Sequence, residues 1–89
     1  MSIEDVFSSK PRMKILKTLY NIGEVNVSEL ARRLRINYVS ASKHVKILEE
    51  AGILQHKMFG RIRLYRFNEQ SKRAKAVQNL IETWEDSRN

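Results

Sequence analysis

Length, composition and charge already exclude several classes of protein. The chain has 89 residues, of which 42% are hydrophobic and 30% charged, as in a globular chain and unlike a disordered or membrane protein. It contains no cysteine, which excludes disulfides, thiolate nucleophiles and cysteine-bound metals, and its net charge of +7 favours a polyanionic partner.

The size of the chain predicts a single small domain over residues 1–89. So short a chain often gains burial from a second copy, so we expect a homodimer. No apolar run approaches the ~20 residues of a membrane span, and the start MSIEDVF lacks the pattern of a secretory signal. We therefore expect a cytoplasmic protein without membrane contact.

The first predicted helix follows a short apolar lead. Ser9 can cap it, and Pro11 fits its first turn, where a missing N–H costs nothing. Gly23 can accept the left-handed conformation that ends a helix, so the end is predicted at residues 21–23. The apolar stripe of this helix comprises Met13, Ile15, Leu16, Leu19 and Tyr20.

Two further helices are predicted on either side of a tight turn at residues 35–37. Asn26 and Glu29 have the spacing of a capping box, in which each side chain bonds the backbone of the other, and the helix that they begin runs to Leu34. Asn37 caps the next helix, which runs over residues 38–51 and ends at Gly52. Its apolar stripe is Ala41, Val45, Leu48 and Ala51.

From residue 53 the apolar period shortens towards two, which predicts a two-stranded hairpin over residues 53–67. Its tip lies at residues 59–61, where Gly60 supplies the conformational freedom. On the second strand, the apolar residues Ile62 and Leu64, with Phe67 near its end, alternate with Arg63 and Tyr65.

A last helix is predicted over residues 68–86. Its apolar side comprises Ala74, Val77, Leu80, Ile81 and Trp84. Trp84 would expose a large ring unless a partner covers it, so we expect this helix to form the dimer, although the stripe could instead fold back on its own domain. The predicted interface is Val6, Phe7, Val77, Leu80, Ile81 and Trp84.

The excess positive charge lies in the middle of the chain. Residues 28–66 hold nine basic and three acidic residues, a net charge of +6 out of +7. Two short helices with a tight turn, followed by a basic hairpin, predict a mainly α (α+β) winged helix-turn-helix fold. The helix-turn-helix is assigned to residues 28–51, and the third helix offers small polar and basic groups that suit a DNA major groove.

The stretches at residues 27–34 and 37–54 resemble the ArsR-type winged-helix regulators. The pattern from Ser40 through Lys43, His44 and Lys46 to Gly52 carries the resemblance. MarR-like and other archaeal regulators share much of it, so the resemblance implies an archaeal source. The resemblance implies a recognition helix in the major groove, a wing on the backbone or minor groove, and a dimer formed by terminal helices. The implied DNA contacts are Tyr38, Ser40, Ser42 and Lys43 to bases, His44 and Lys46 to phosphates, and Lys57, Arg61 and Arg63 from the wing. Tyr38 could instead pack against the first helix.

The metal-sensing motifs of that family are missing. The chain has no cysteine and no histidine after His56, and His44 and His56 lie too far apart in sequence for a zinc pair without further donors. Ser40 and His44 are one helical turn apart, but no third group orients the histidine and no oxyanion turn is present. We therefore expect no metal, no cofactor and no enzymatic activity.

Three functions remain open at this point. The first is sequence-specific binding of double-stranded DNA by a homodimeric transcriptional regulator. The second is architectural coating of DNA with little sequence preference, and the third is a winged-helix module whose basic face meets an acidic protein. The concentration of charge in residues 28–66 favours nucleic acid.

Overall fold

The computed structural model describes residues 1–86, in which five helices surround a small three-stranded sheet. The elements in chain order are α1 (Ile3–Phe7), α2 (Lys10–Ile22), β1 (Glu24–Val25), α3 (Val27–Leu34), α4 (Tyr38–Glu50), β2 (Leu54–Phe59), β3 (Ile62–Phe67) and α5 (Lys72–Asp86). This is the predicted winged helix-turn-helix. No helix within these residues is long and apolar enough to cross a membrane.

The helix ends follow the predicted capping chemistry. The side chains of Ser9, Asn26 and Asn37 each accept the backbone N–H three residues later, which satisfies a donor that the first helical turn leaves open. Gly23 ends α2 with a φ of 91°. Because these signals are local, the bounds of α2, α3 and α4 agree with the predicted ones.

The core lies between α2, α3, α4 and the sheet. Its completely buried large side chains are Ile15, Leu16, Leu19, Leu30, Val45, Leu48, Ile53 and Leu54. Of the stripe predicted for α2, Met13 and Tyr20 are half-buried and pack against the edge of this core. The buried stripe of α4 fixes that helix in the middle of the domain, with its opposite side outward.

The turn between α3 and α4 is held by backbone bonds. Arg35 takes the left-handed conformation with a φ of 56°, and the N–H of Ile36 reaches back to the carbonyl of Ala31. Ile36 packs its side chain against the core. The relative direction of the two helices is thus set by a left-handed residue and an apolar anchor.

The sheet contains a strand that the sequence pattern did not predict. β1 is two residues long and pairs antiparallel with β3, so the strand order is β1-β3-β2. Glu24 lies opposite Arg66, and Val25 lies opposite Tyr65. This pairing ties the segment before α3 to the hairpin.

The buried face of β3 is the one that carries Tyr65. Tyr65 and Phe67 are buried, each 5% exposed, whereas Leu64 is half-buried and Ile62 is 53% exposed. The hairpin meets the core only at its base, where Val25 and Leu54 are also buried. The outer end extends away from the core, so the alternation of Ile62 and Leu64 did not identify the buried face.

Both terminal segments also differ from the prediction. The apolar lead forms the helix α1, with a capping box between Ser2 and Asp5. The last helix begins at Lys72 rather than at residue 68, because Ser71 caps it by accepting the N–H of Ala74, while Asn68 forms a turn with Gln70.

The capping box predicted at α3 is only half formed. Asn26 accepts the N–H of Glu29 at 2.8 Å, but the Glu29 carboxylate pairs with Arg32 at 2.9 Å and Arg33 at 2.8 Å. Both arginines lie one turn further along the helix, within easy reach of Glu29. The Glu29 carboxylate therefore binds these two arginines and does not accept the backbone N–H of Asn26, as a complete capping box requires.

Replacing a buried residue of α4 is expected to destabilise the fold. Leu48→Ala leaves a cavity at a completely buried position and should lower the free energy of unfolding by about 2–5 kcal/mol. The matched control Val39→Ala alters a residue of the same helix that is 72% exposed, and a change within about 0.5 kcal/mol is expected. Urea unfolding at one fixed protein concentration measures both, and equal effects would contradict the assigned orientation of α4.

Candidate nucleic-acid interface

The outward side of α4 carries cations and a small apolar residue. Val39, Lys43 and Lys46 are exposed, on the side opposite the buried Ala41 and Val45. With 3.6 residues per turn, positions 39, 43 and 46 fall on one face. This face is narrow and can present side chains to a groove.

A cleft of about 510 Å³ separates α4 from the hairpin. Tyr38 and Ser42 line it from α4, and Arg61 and Arg63 line it from β3 and the turn before it. Tyr38 is 57% exposed, so the alternative in which it packs away against α2 is not what the structure shows. The other lining residues are Asn26, Val27, Ser28, Met58, Ile62 and Tyr65.

The cleft brings together four of the predicted DNA contacts and also contains two polar residues that the sequence reasoning did not assign to the site. Asn26 and Ser28 lie at the amino end of α3 and line the same cleft. They were assigned to capping and helix structure only. The sequence could have indicated them because a helix amino end carries exposed N–H groups that suit anions, but their position beside the hairpin depends on the tertiary fold.

The cations of α4 and the hairpin differ from those of α3 in their partners. Within the described part of the chain, no carboxylate lies within ion-pair distance of Lys43, Lys46, Lys57, Arg61 or Arg63. By contrast, Arg32 and Arg33 share Glu29, and Arg66 pairs with Glu24 and Glu69. The positive potential of these five residues, on α4 and the outer part of the hairpin, is therefore not compensated by ion pairs.

His44 has a different position from the other predicted contacts. It is half-buried, and its Nδ1 lies 3.1 Å from Nη1 of Arg12 on α2. Because a guanidinium can only donate, Nδ1 accepts and the neutral ring carries its proton on Nε2. Ser40 is also half-buried. The structure therefore gives His44 an internal partner and leaves at most Nε2–H for a phosphate.

Arg12 is a buried residue that sequence reasoning did not single out. It is 8% exposed, and it donates from Nε to the carbonyl of Val6 at 2.8 Å and from Nη2 to the carbonyl of Asp5 at 2.6 Å. Those carbonyls belong to the end of α1, where helical partners are missing. One guanidinium thus joins α1, α2 and α4. No local signal could have shown this, because Arg12 and His44 are 32 positions apart.

His56 lies on β2 and contacts a residue near the carboxyl end of α4. Its Nδ1 is 2.6 Å from Oε2 of Glu49, and its ring makes a tilted contact with Tyr65. No group of three or more potential metal ligands occurs within residues 1–86. The two histidines lie on separate elements with separate partners.

The residues predicted for a dimer interface divide into two groups. Val6, Val77 and Ile81 are core residues of their own chain, each at most 6% exposed, and Phe7 is half-buried. Leu80 and Trp84 are exposed, at 53% and 72%. Three of the five residues of the stripe thus fold back, because Ala74, Val77 and Ile81 cover the small core of their own chain.

An apolar cleft of about 460 Å³ lies between α1 and α5. Its rim includes Phe7, which is half-buried, and the exposed Leu80. The remaining lining residues are Met1, Ser2, Ile3, Val6, Met13, Ala51, Ile53, Arg73, Ala76 and Val77. Met1 and Ile3 are exposed as well, so a continuous apolar surface joins the two terminal helices.

The fold and the uncompensated cations define a winged helix-turn-helix regulator of transcription that binds DNA. Its sequence matches the model of the MarR family over residues 9–57, and the chain belongs to that family. Its members are regulators and not enzymes, as the sequence predicted. Comparison with curated proteins finds no match.

Solved structures share the fold over most of the chain. The transcriptional repressor BigR from Xylella fastidiosa superposes with a TM-score of 0.79 at 26% identity, covering 96% of this chain and 82% of BigR. HlyU from Vibrio cholerae gives 0.75 at 24% identity, covering 90% and 81%. The homodimeric DNA-binding domain Mb0332 from Mycobacterium bovis, a possible ArsR-family regulator, gives 0.75 at 21%, covering 94% and 75%.

These likenesses confirm the predicted resemblance to ArsR-type regulators. ArsR-type and MarR-type proteins share the winged helix-turn-helix, which explains why the family model and the structural neighbours carry different names. An archaeal source, which the sequence resemblance suggested, receives no support from the comparisons.

The environment of His44 predicts a pH dependence of stability. Burial, Arg12 and Lys43 together lower the pKa of His44 below its ordinary value of 6.5, so the unfolded chain takes up this proton at higher pH than the folded chain. The neutral His44 ring therefore makes its full contribution to the free energy of unfolding above about pH 6.5. This contribution is lost as the pH falls below about 6.5.

Urea unfolding across this range should show wild type losing stability relative to His44→Gln as the pH falls. His56→Gln, which removes the other histidine, should keep the loss. A constant difference between wild type and His44→Gln at all pH values would contradict the assigned environment.

Proposed function

We propose that this chain binds specific sequences of double-stranded DNA as a homodimeric transcriptional regulator, acting in the cytoplasm as one winged-helix domain. The observation that carries the proposal is the cleft in which Tyr38 and Ser42 of α4 face Arg61 and Arg63 of the hairpin. We refer to α4 as the recognition helix and to the β2–β3 hairpin as the wing.

The roles of the individual contacts follow from their positions. Lys43 lies on the outward face of the recognition helix and Ser42 and Tyr38 on its cleft side, where base edges in the major groove are within reach. Lys46 comes later on the same helix and suits a phosphate. Arg61 lies in the turn of the wing, where a phosphate or the minor groove is the partner.

The homodimer is supported by the apolar surface shared by α1 and α5. Leu80 and Trp84 are one helical turn apart on α5, and the exposed Ile3 lies across the cleft on α1. Large apolar patches of this kind mark protein interfaces. Two copies related by a two-fold axis would place their recognition helices about one DNA turn, ~34 Å, apart, so we expect a near-palindromic operator.

A direct experiment distinguishes sequence-specific binding from the alternative of an architectural protein with little sequence preference. Selection from a random duplex library, followed by competition of the selected site against unselected duplex, measures the specificity ratio. We expect a ratio of at least about a thousandfold. A ratio near one would favour the architectural function, and failure to bind duplex DNA at low ionic strength would refute DNA binding.

Two variants that each remove one positive charge should have different effects on DNA binding. Lys43→Ala removes a base contact and should reduce the specificity ratio by about tenfold. Arg61→Ala should instead weaken binding to all duplexes alike and make the log-log salt slope less steep. The wild-type slope is expected near about −7, if each subunit neutralises about four phosphates.

Fluorescence titration at several salt concentrations measures both effects. Lys75→Ala is the matched control, since it removes an exposed cation from α5. If Lys43→Ala and Arg61→Ala bind every duplex as wild type does, the residue assignment is wrong.

The dimer proposal predicts a mass change for one of two neighbouring variants. Leu80→Lys places a charge in the apolar surface of α5 and should reduce the solution mass from twice 10.5 kDa to that of one chain. Asn79→Lys introduces the same charge at an exposed position beside it and should leave the dimer intact. Light scattering distinguishes these outcomes, and a dimeric Leu80→Lys would place the interface elsewhere.

A further inference from the structure

The tip of the wing exposes apolar side chains as well as cations. Met58, Phe59 and Ile62, here called the wing-tip cluster, are 54%, 59% and 53% exposed. None of them belongs to the core or to the half-buried residues packed against it. Because the base of the hairpin already covers the core with Tyr65 and Phe67, the fold itself does not require large apolar groups at the tip.

The strand register places two residues of the cluster, Phe59 and Ile62, on the same face of the wing. Phe59 lies directly opposite Ile62, and the two-residue turn between them has Gly60 at a φ of 59°. A positive φ at the first position of a two-residue hairpin loop is the pattern of a type II′ turn, which matches the twist of the strands. Directly opposed residues lie close enough for their side chains to touch. Phe59 and Ile62 therefore form a narrow apolar blade at the end of the wing.

The charged residues beside the blade indicate which class of partner it can bind. Lys57, Arg61 and Arg63 flank it, are exposed, and have no carboxylate partner within residues 1–86. These three cations repel a second copy of the same surface and attract a polyanion. Ile62 also lines the cleft that the wing shares with the recognition helix, so the blade is continuous with the proposed DNA surface.

We propose that the wing tip inserts Phe59 and Ile62 into the minor groove between two base pairs, and that this wedge bends the DNA. The inference rests on the proposed DNA binding and adds a second source of specificity. Apolar wedges at a base step unstack it and kink the duplex by about 20–90°. Pyrimidine–purine steps deform most easily, so the preferred sites should carry such a step beneath each wing.

The test uses the full chain and a duplex carrying the selected site, with a fluorescent donor and acceptor at its ends and 2-aminopurine at the step beneath the wing. Wild type should shorten the end-to-end distance and raise the 2-aminopurine emission, because unstacking relieves quenching. The double variant Phe59→Thr with Ile62→Thr retains residues that suit strands. It should lose most of both signals and bind a site with a TA or CA step about tenfold more weakly.

Controls separate the wedge from other effects. Ile22→Thr changes an exposed apolar residue at the end of α2 and should bend DNA as wild type does. Arg61→Ala should weaken binding while leaving the bend of the bound complex. Moving the 2-aminopurine several base pairs away should abolish its response with the wild-type protein, a readout that does not depend on the folding of any variant.

The outcomes distinguish the two proposals. If wild type binds the selected duplex without bending it or unstacking the step, the wedge is refuted and DNA binding stands. A double variant that bends DNA as wild type does, or that changes only the oligomeric state, also refutes the wedge. If wild type binds no duplex, the proposed function fails first and the wedge with it.

Discussion

The presentation of the recognition helix depends on the complete burial of three residues on its inner side. Ala41, Val45 and Leu48 have no exposed surface, and they hold α4 against α2 and α3. A helix anchored along a stripe can turn only its opposite face outward, so the positions of Lys43 and Lys46 follow from the packing. The small side chain of Ala41 lets the first turns of α4 approach the core closely.

Arg12 supplies hydrogen-bond donors to carbonyl groups at the end of the short helix α1. α1 has five residues, too few for independent stability, and its last carbonyls need partners. The buried guanidinium donates to two of them and to His44, so its charge is solvated by oxygen and nitrogen acceptors, although no carboxylate within residues 1–86 forms an ion pair with it. Removing such a group would strand several polar atoms at once. The same residue joins the surface proposed for dimerisation to the recognition helix.

The charges are divided between neutralised and uncompensated groups. Glu29 binds both arginines of α3, and Glu24 and Glu69 bind Arg66 at the base of the sheet. Exposed pairs of this kind contribute little to stability, but they cancel local potential. Within residues 1–86, the cations of α4 and of the outer wing have no such partners. The positive potential of these cations is therefore not cancelled by ion pairs where α4 and the wing meet, which favours an anionic partner on that side.

The sequence by itself determined the features that depend on neighbouring residues. Caps at Ser9, Asn26 and Asn37, the breaks at Gly23 and Gly52, and the helical spacing in α4 act over one or two turns, so they could be predicted from the letters alone. The excess of basic residues in the middle of the chain also indicated the region proposed to bind DNA, because the number of charges in a segment does not depend on the fold.

Only the tertiary structure decided which apolar residues are buried and which distant side chains are in contact. The alternation in β3 allowed either face, and the pairing with β1 and the packing at the base of the hairpin selected the one with Tyr65. The partner of His44 is 32 positions away, and the division of the α5 stripe into core and exposed residues depends on how much surface the other helices leave uncovered. Such choices depend on contacts between distant segments, for which the period of a sequence carries no information.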